Sequence, residues 1–348
     1  MATKYVTWEQ KEEAVAALKR GEIVLFPTET VYGAACLASS KQAYERLCAV
    51  KGRPADKPFT LMCSSITQAV IHAQINCSVM ALMKAFMPGE ITLLLNAREN
   101  TSPWIDLGTG VIGVRVPNSK EVIALIDAIE EPLLVTSANL SGQAPALTGE
   151  EAKAIFDGKV SVVIEGECVS HVPSTVVSCV NDELKLIRQG SIEFQQIQKV
   201  YDAASLTVAI GCDHGGFEHK TAIVNHLTER GFKVLDFGCH EKKSVDYPNY
   251  GHLVGKAVAE KSADLGIVVC TSGEGISIAA NKVPGIRCGI GYDDVATGKT
   301  REHNNANVIA FGQKYMPLAD VLRRIDIFLC EKFSLEEKHH RRVKQIEN

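Results

Sequence analysis

Two sets of anion-handling residues lie on this chain, and they share no motif. The first set opens with Phe26-Pro-Thr-Glu-Thr-Val-Tyr-Gly33, continues with Lys51-Gly-Arg-Pro54, and closes with Ser137-Ala-Asn139. Hydroxyls, backbone N–H groups and fixed cations are what a phosphate or carboxylate site needs. The second set opens with Gly211-Cys-Asp-His-Gly-Gly216. It continues with Cys270-Thr-Ser-Gly-Glu-Gly275 ahead of a helix, then His303-Asn304. Here a carboxylate, a thiol and imidazoles stand beside glycine-rich turns whose backbone N–H groups can receive an anionic oxygen. One site needs only one such set, so the simplest reading is two enzymes fused end to end.

The 348 residues suit two domains better than one core. An apolar share of 46% and a charged share of 22% are those of an ordinary globular chain. A formal net charge of −4 does not advertise non-specific nucleic-acid binding. The N-terminal stretch is too charged for a secretory signal, and no apolar run approaches the length of a membrane span. The eleven cysteines form no CxxC pair and no Cys/His ligand spacing, which argues against structural zinc and a disulfide framework and predicts a reducing cytoplasm.

The elements that position the first set read irregularly. Thr7 with Gln10 predicts a capped helix over Glu9–Arg20, and strand Glu22–Phe26 runs into the Thr-Glu-Thr loop. Helix Ser39–Val50 delivers Lys51 and Arg53. Further helices are expected at Val79–Phe86, Val122–Ile129 and Glu150–Phe156. Strands are expected at Phe59–Cys63, Ile91–Asn96, Val111–Val116, Leu133–Thr136, Val160–Glu165, Thr175–Cys179 and Lys185–Arg188. Several strands in succession predict a mixed sheet. Past Val200, short apolar strands alternate strictly with helices, which predicts a five-stranded parallel sheet with helices on both faces. The boundary falls near Tyr201–Ser205, giving domains 1–203 and 204–348.

Taken singly, these residues have plainer readings. Lys51 and Arg53 at a helix end could only complement its dipole, Ser-Ala-Asn is a common turn, and most cysteines are inert core. The basic helix end around His340 and Arg341 reads as solvated. The combinations are more specific than any member. For Cys270, the following glycine loop and helix N-terminus favour a thiolate role.

Across roughly Val6 to Ile192 the chain closely resembles the YrdC-type threonylcarbamoyl-AMP synthases. The resemblance rests on the motifs above with Pro88-Gly89, Thr92, Val114-Arg-Val-Pro117, Thr136-Ser-Ala-Asn-Leu-Ser-Gly142, Ser174-Thr-Val and Leu186-Ile-Arg-Gln-Gly190. It implies a YrdC-like twisted mixed sheet and synthesis of threonylcarbamoyl-AMP from threonine, bicarbonate and ATP with Mg²⁺, feeding tRNA modification. It places Lys51, Arg53, Ser137, Asn139 and Arg188 on the nucleotide, Lys57 beside the phosphates, and Thr30, Arg115 and Ser174 on threonine or its carboxylated form. Ala34 and Met62 depart from the usual leucine and from a histidine found in some members. The resemblance also implies contacts with RNA and tRNA-modification proteins, and a binding-only domain that holds RNA is the competing reading. The absence of aromatic platforms among the basic residues weighs against RNA binding alone.

From Leu206 to the C-terminus the chain closely resembles the ribose-5-phosphate isomerase B family, which includes galactose-6-phosphate isomerase subunits. Gly-Cys-Asp-His-Gly-Gly-Phe217, Asp246-Tyr-Pro248, Ser277-Ile-Ala-Ala-Asn-Lys282, His303-Asn-Asn-Ala-Asn307 and His339–Val343 carry it. It implies a Rossmann-like α/β/α sandwich and interconversion of ribose 5-phosphate and ribulose 5-phosphate without metal or organic cofactor. Asp213 and His303 would open the sugar ring, and Cys270 would remove the C2 proton. Ser272 and the N–H groups around Gly273 and Gly275 would serve the enediolate, and Tyr247 and Asn304 would orient the sugar. His214, Lys314, Lys338 and Arg342 would bind phosphate. The two lysines replace arginines of many members and lose the bidentate fork. Ile276 stands where some relatives carry a glutamate base. The resemblance further implies a homodimer or higher assembly through the second domain, with His303 reaching a neighbour's site. Fusions with one live site, the other an assembly module, and a hexose 6-phosphate substrate are the alternatives.

Overall fold

The structure is a computed structural model that describes residues 2–52, 58–99 and 101–347. Contacts divide the chain into two units, Met1–Gln74 with Ala85–Tyr201, and Ile75–Lys84 with Asp202–Asn348.

In the first unit, ten strands form one mixed sheet among the described residues. They are β1 (Lys4–Val6), β2 (Val24–Phe26), β3 (Gly33–Leu37), β4 (Thr60–Met62), β5 (Ile91–Asn96), β6 (Val111–Arg115), β7 (Leu133–Ser137), β8 (Val162–Ile164), β9 (Thr175–Ser178) and β10 (Lys185–Arg188). Their order is β1-β8-β2-β3-β7-β4-β6-β5-β9-β10. Parallel pairs such as β4 with β6 sit beside antiparallel ones such as β3 with β7. Helices Lys11–Lys19 and Lys120–Ile129 bury Leu18, Leu125 and Ile126 against Phe26 and Val135 in one core.

The strand β3 was hidden in the sequence. Its Gly-Ala-Ala-Cys-Leu run has low strand propensity, and the residues before it read as loop. All five positions are buried, and small side chains fit there. A Cβ on Gly33 would stand 3.0 Å from Val135 and 3.3 Å from Phe26. Helices Ile66–His72, Pro103–Asp106 and Phe194–Asp202 were likewise not expected, and the first helix is split by a 3-10 turn at Trp8–Gln10.

The second unit holds β11 (Thr207–Cys212), β12 (Lys233–Asp236), β13 (Leu265–Cys270), β14 (Cys288–Ile290) and β15 (Val308–Gly312). They pair in parallel in the order β12-β11-β13-β15-β14. This is the five-stranded parallel sheet expected from the alternation. Val254, Val268, Ile276 and Val308 lie in its core.

One segment departs from the sequence-based division at residue 203. Ile75–Lys84, most of the apolar helix Cys77–Phe86, belongs with the second unit. The Cys77 N–H donates to Arg230 O at 2.9 Å, and Lys332 Nζ donates to Lys84 O at 2.8 Å. The helix buries Cys77, Val79, Met80, Leu82 and Met83, a nearly continuous apolar surface that composition alone could not assign to either half.

Candidate functional sites

The first site is a cavity of about 520 Å³ in the first unit, within the usual range for small-ligand clefts. Strand ends and one buried loop supply its groups. Helix Lys41–Lys51 starts on Ser40, whose hydroxyl accepts from Ala43 N at 3.1 Å, and ends on Gly52 in the left-handed region. That places Lys51 in the last turn, 3% exposed. Its Nζ donates to Ser137 O at 2.5 Å and Asn139 Oδ1 at 3.0 Å. Ser137 Oγ donates to the same Asn139 oxygen at 2.6 Å. Ser137 and Asn139 face the cavity, whereas Lys51 is not among its lining residues and stands behind them.

Across the cavity, β6 delivers Arg115, which is 6% exposed. Arg115 Nη2 donates to Glu29 Oε1 at 2.8 Å and to Thr30 Oγ1 at 2.9 Å. The Thr28 and Thr30 hydroxyls are 2.9 Å apart. Ser174, just ahead of β9, bonds Thr92 Oγ1 at 2.9 Å and receives Arg188 Nη2 on its carbonyl at 2.8 Å. Burial and the neighbouring Arg115 push the Arg188 guanidinium below its ordinary value. Two close guanidiniums with one carboxylate between three cations (Lys51, Arg115, Arg188) leave an excess of positive charge, which suits a polyanion.

Thr30, Arg115, Ser137, Asn139, Ser174 and Arg188 thus share one cavity, as the motifs predict. Met62 lines it too. Arg53 and Lys57 lie outside the described residues. Glu29 is the residue that the motif reading left without a role. It is 8% exposed and accepts also from Asn118 N at 3.0 Å, while its Oε2 and Arg115 Nε have no hydrogen-bond partner among the described residues. A lone glutamate between two threonines reads as solvent-facing until strand pairing brings Arg115 over it.

The second site lies where the strand order of the parallel sheet reverses, beyond the carboxyl ends of β11 and β13, the usual ligand crevice of such sheets. Asp213 follows β11 and is 5% exposed. Its carboxylate accepts from Gly215 N at 3.0 Å. Burial pushes that carboxyl above its ordinary value, partly offset by His214. His214 Nδ1 accepts from Val245 N at 3.2 Å, so Nε2 carries the proton of the neutral ring. Cys270 ends β13 at 4% exposure, and Gly273 N–H donates to its Sγ at 3.1 Å.

Close backbone approach holds these turns together. A Cβ on Gly215 would come within 2.1 Å of Thr271 Oγ1, and one on Gly216 within 2.5 Å of Val269 O. Gly273 takes φ +85° at the N-cap of helix Glu274–Asn281, a left-handed conformation that favours glycine. Gly275 packs against Tyr247, where a Cβ would meet the ring at 2.7 Å. Ser272 Oγ accepts from Glu274 N at 3.3 Å, and Lys314 N donates to Thr271 O at 3.1 Å. Asp213, His214, Tyr247, Cys270, Ser272, Gly273, Gly275 and Lys314 therefore gather at one end of the sheet.

His303, Asn304, Lys338 and Arg342 do not join them within the chain. His303 and Asn304 end the helix Asp294–Asn304, which leads into the amino end of β15. Lys338 and Arg342 lie on helix Glu337–Ile346. His339 on that helix stacks on His303, ring centroids 4.1 Å apart and planes 9° apart. Burial is the main cause holding the His303 imidazole below its ordinary value. With β15 running parallel to β13, the two groups stand at opposite ends of a five-residue strand, about 16 Å of rise.

Cys168 and Cys179 are buried core thiols. Burial pushes the Cys168 thiol up to about 11 and the Cys179 thiol up to about 12. Among the described residues no cluster of His, Cys, Asp and Glu could hold a metal ion, and no helix is long and apolar enough to cross a membrane.

Comparisons with known proteins divide the chain in the same way. The Sua5/YciO/YrdC family, described as "Telomere recombination", matches residues 16–190. The LacAB/RpiB family, described as "Ribose/Galactose Isomerase", matches residues 208–346. The threonylcarbamoyl-AMP synthase of Bacillus subtilis is 34% identical over 194 residues, 55% of this chain and 56% of that protein, so the chain spans little more than half of that relative. The ribose-5-phosphate isomerase B of Escherichia coli is 41% identical over 139 residues, 40% of this chain and 93% of that protein. The crystal structure of Escherichia coli YciO aligns with a TM-score of 0.53 at 26% identity, covering 57% of this chain and 100% of that one. The chain belongs to the Sua5/YciO/YrdC family in its first part and to the LacAB/RpiB family in its second, and is a fusion of the two.

Proposed function

We propose that the chain is a bifunctional enzyme, a threonylcarbamoyl-AMP synthase joined to a ribose-5-phosphate isomerase. The observation that carries the first half is the cationic cavity with Arg115 and Arg188 on one side and Ser137 and Asn139, backed by Lys51, on the other. Threonine and bicarbonate supply a carbamate whose oxygen attacks the α-phosphorus of ATP, and pyrophosphate leaves. Charge builds on the leaving group, so fixed cations and positioning account for most of the acceleration. Arg115 and Thr30 suit the threonine carboxylate, and Arg188 suits a nucleotide phosphate. Among the described residues the cavity wall offers hydroxyls and amides and no carboxylate cluster, which suits Mg²⁺ that would arrive bound to ATP. The product would serve tRNA modification.

The observation that carries the second half is the Cys270 sulfur held by Gly273 N–H beside Asp213 and His214 at the crevice. The thiolate removes the C2 proton of the open sugar, and an enediolate forms. Ser272 and the N–H groups of the Gly273–Gly275 turn stabilise its oxygens, and the proton returns to C1. Asp213 works on ring opening, and His214 and Lys314 take the phosphate side. His303, Asn304, Lys338 and Arg342 would complete the site from a second copy of the chain, consistent with their place at the far end of the sheet. The test is twofold: pyrophosphate release that requires both threonine and bicarbonate, and conversion of ribose 5-phosphate in the presence of a chelator. Failure of either removes that half of the reading.

A further inference from the structure

Cys212 and Cys239 place their sulfurs 3.8 Å apart in the interior of the second unit. Cys212 is the last residue of β11, fully buried and directly ahead of Asp213. Cys239 is 5% exposed and follows β12. Its backbone N–H donates to Cys212 O at 3.1 Å, so the two residues are already aligned side by side. Gly238 presses the turn onto the pair, since a Cβ there would stand 3.0 Å from Cys212 Sγ. A disulfide needs the sulfurs at about 2.05 Å, a closure that two side-chain rotations and a small loop shift can supply.

We propose that Cys212 and Cys239 are a modification site, a thiol pair that hydrogen peroxide converts to an intramolecular disulfide tethering the loop after β12 to the strand end that carries Asp213. One thiolate attacks the peroxide O–O bond. An S–O bond forms, and the departing hydroxide takes up a proton as water. The second sulfur then attacks the sulfenic sulfur, the S–S bond forms, the S–O bond breaks, and a second water leaves. Two thiols and one peroxide thus give one disulfide and two waters. A dithiol reductant reverses the change. Burial pushes the Cys212 thiol well up, with the Cys239 sulfur adding to this and the Lys220 ammonium pulling the other way, so the reaction is slow.

The tether has a target. The loop it fixes runs on to Val245, whose N–H holds His214 Nδ1, and to Tyr247 against Gly275. Drawing Cys239 toward Cys212 displaces both sides of the sugar-phosphate crevice. This consequence rests on the isomerase reading. The cross-link itself does not.

The test uses the full chain carrying Cys270→Ala, so that peroxide cannot act on the thiol in the crevice. After prolonged peroxide treatment and alkylation, digestion without reductant should yield one cross-linked peptide pair joining Cys212 to Cys239. The pair should vanish with dithiothreitol and be absent from Cys239→Ala/Cys270→Ala. Ribose 5-phosphate binding by calorimetry should weaken at least fivefold on cross-linking, recover on reduction, and stay unchanged in the doubly substituted chain. Recovery of Cys212 and Cys239 as separate alkylated or over-oxidised residues overturns the proposal. So does a cross-link with no change in affinity. A cross-link with no sugar-phosphate binding in either redox state would sink the isomerase reading and leave the disulfide standing. If the Cys270→Ala chain does not fold, Cys270→Ser serves the same purpose.

Discussion

The Gly273 backbone N–H donates to Cys270 Sγ at 3.1 Å, inside a turn that only the φ of +85° at Gly273 allows. Sulfur and donor belong to one loop, so the group that would remove a proton and the group that would steady negative charge move together.

Substituting Gly273→Ala tests that coupling. The left-handed backbone is strained for alanine, and its Cβ would meet Phe311 and Gly312 backbone atoms at 3.0 and 3.1 Å. Such strain costs about 1–3 kcal/mol. Isomerisation should fall on the order of 100-fold with a lowered melting temperature. An unchanged rate would separate the turn from the chemistry.

Asp213→Asn should trade activity for stability. Burial raises this carboxyl in the folded protein, partly offset by His214. Its charged form is therefore disfavoured by folding. The penalty is absent below the unfolded carboxyl value and grows as pH rises through the raised folded one. Asparagine keeps the acceptor for Gly215 N. The variant should melt higher than the parent at pH 7, with the gap closing toward pH 4, while ring opening slows roughly 100-fold or more. A melting gap that widens on acidification would contradict the assignment.

Glu29→Ala should unfold the first unit more readily than Glu29→Gln. The carboxylate pairs with Arg115 at 2.8 Å, both side chains below 10% exposure at 9% and 7%. Removing one partner of a buried pair costs roughly 3–5 kcal/mol, and glutamine keeps an acceptor for Asn118 N. The apparent KM for threonine should rise in both variants and that for ATP should hold. Denaturant unfolding and initial-rate assays check the two halves.

How much of this was legible beforehand differs between the two units. In the second, strict alternation of strand and helix gave the sheet and its helices, because each parallel strand buries both faces and reads as a short apolar run. Asp213 and Cys270 were legible as a pair since both end such runs. In the first, β3 was not, because Gly33–Leu37 owes its strand to packing between β2 and β7 rather than to propensity. The partnership of Glu29 with Arg115 depends on a loop and a strand 86 positions apart in sequence, and no local pattern encodes it. The family resemblance, not the residue type, gave His303 its role beside Asp213 and put it in a neighbour's site; within the chain its helix ends at the opposite end of the sheet from Asp213.

Lys51→Ala probes the same unit from behind the cavity wall. Without its ammonium, Ser137 O and Asn139 Oδ1 lose a buried donor, which costs about 1–3 kcal/mol. Adenylate synthesis should drop on the order of 100-fold, and isomerisation should be untouched. Equal loss of both activities would point to global unfolding, which circular dichroism would reveal.

The most direct measurement assays both reactions on one preparation of the full chain and on its Cys270→Ala variant. The parent should convert ribose 5-phosphate with a chelator present and release pyrophosphate only when threonine, bicarbonate and ATP are together. The variant should lose the first activity and keep the second at the parent's rate. Isomerisation that survives Cys270→Ala, or pyrophosphate release that ignores threonine, would contradict it.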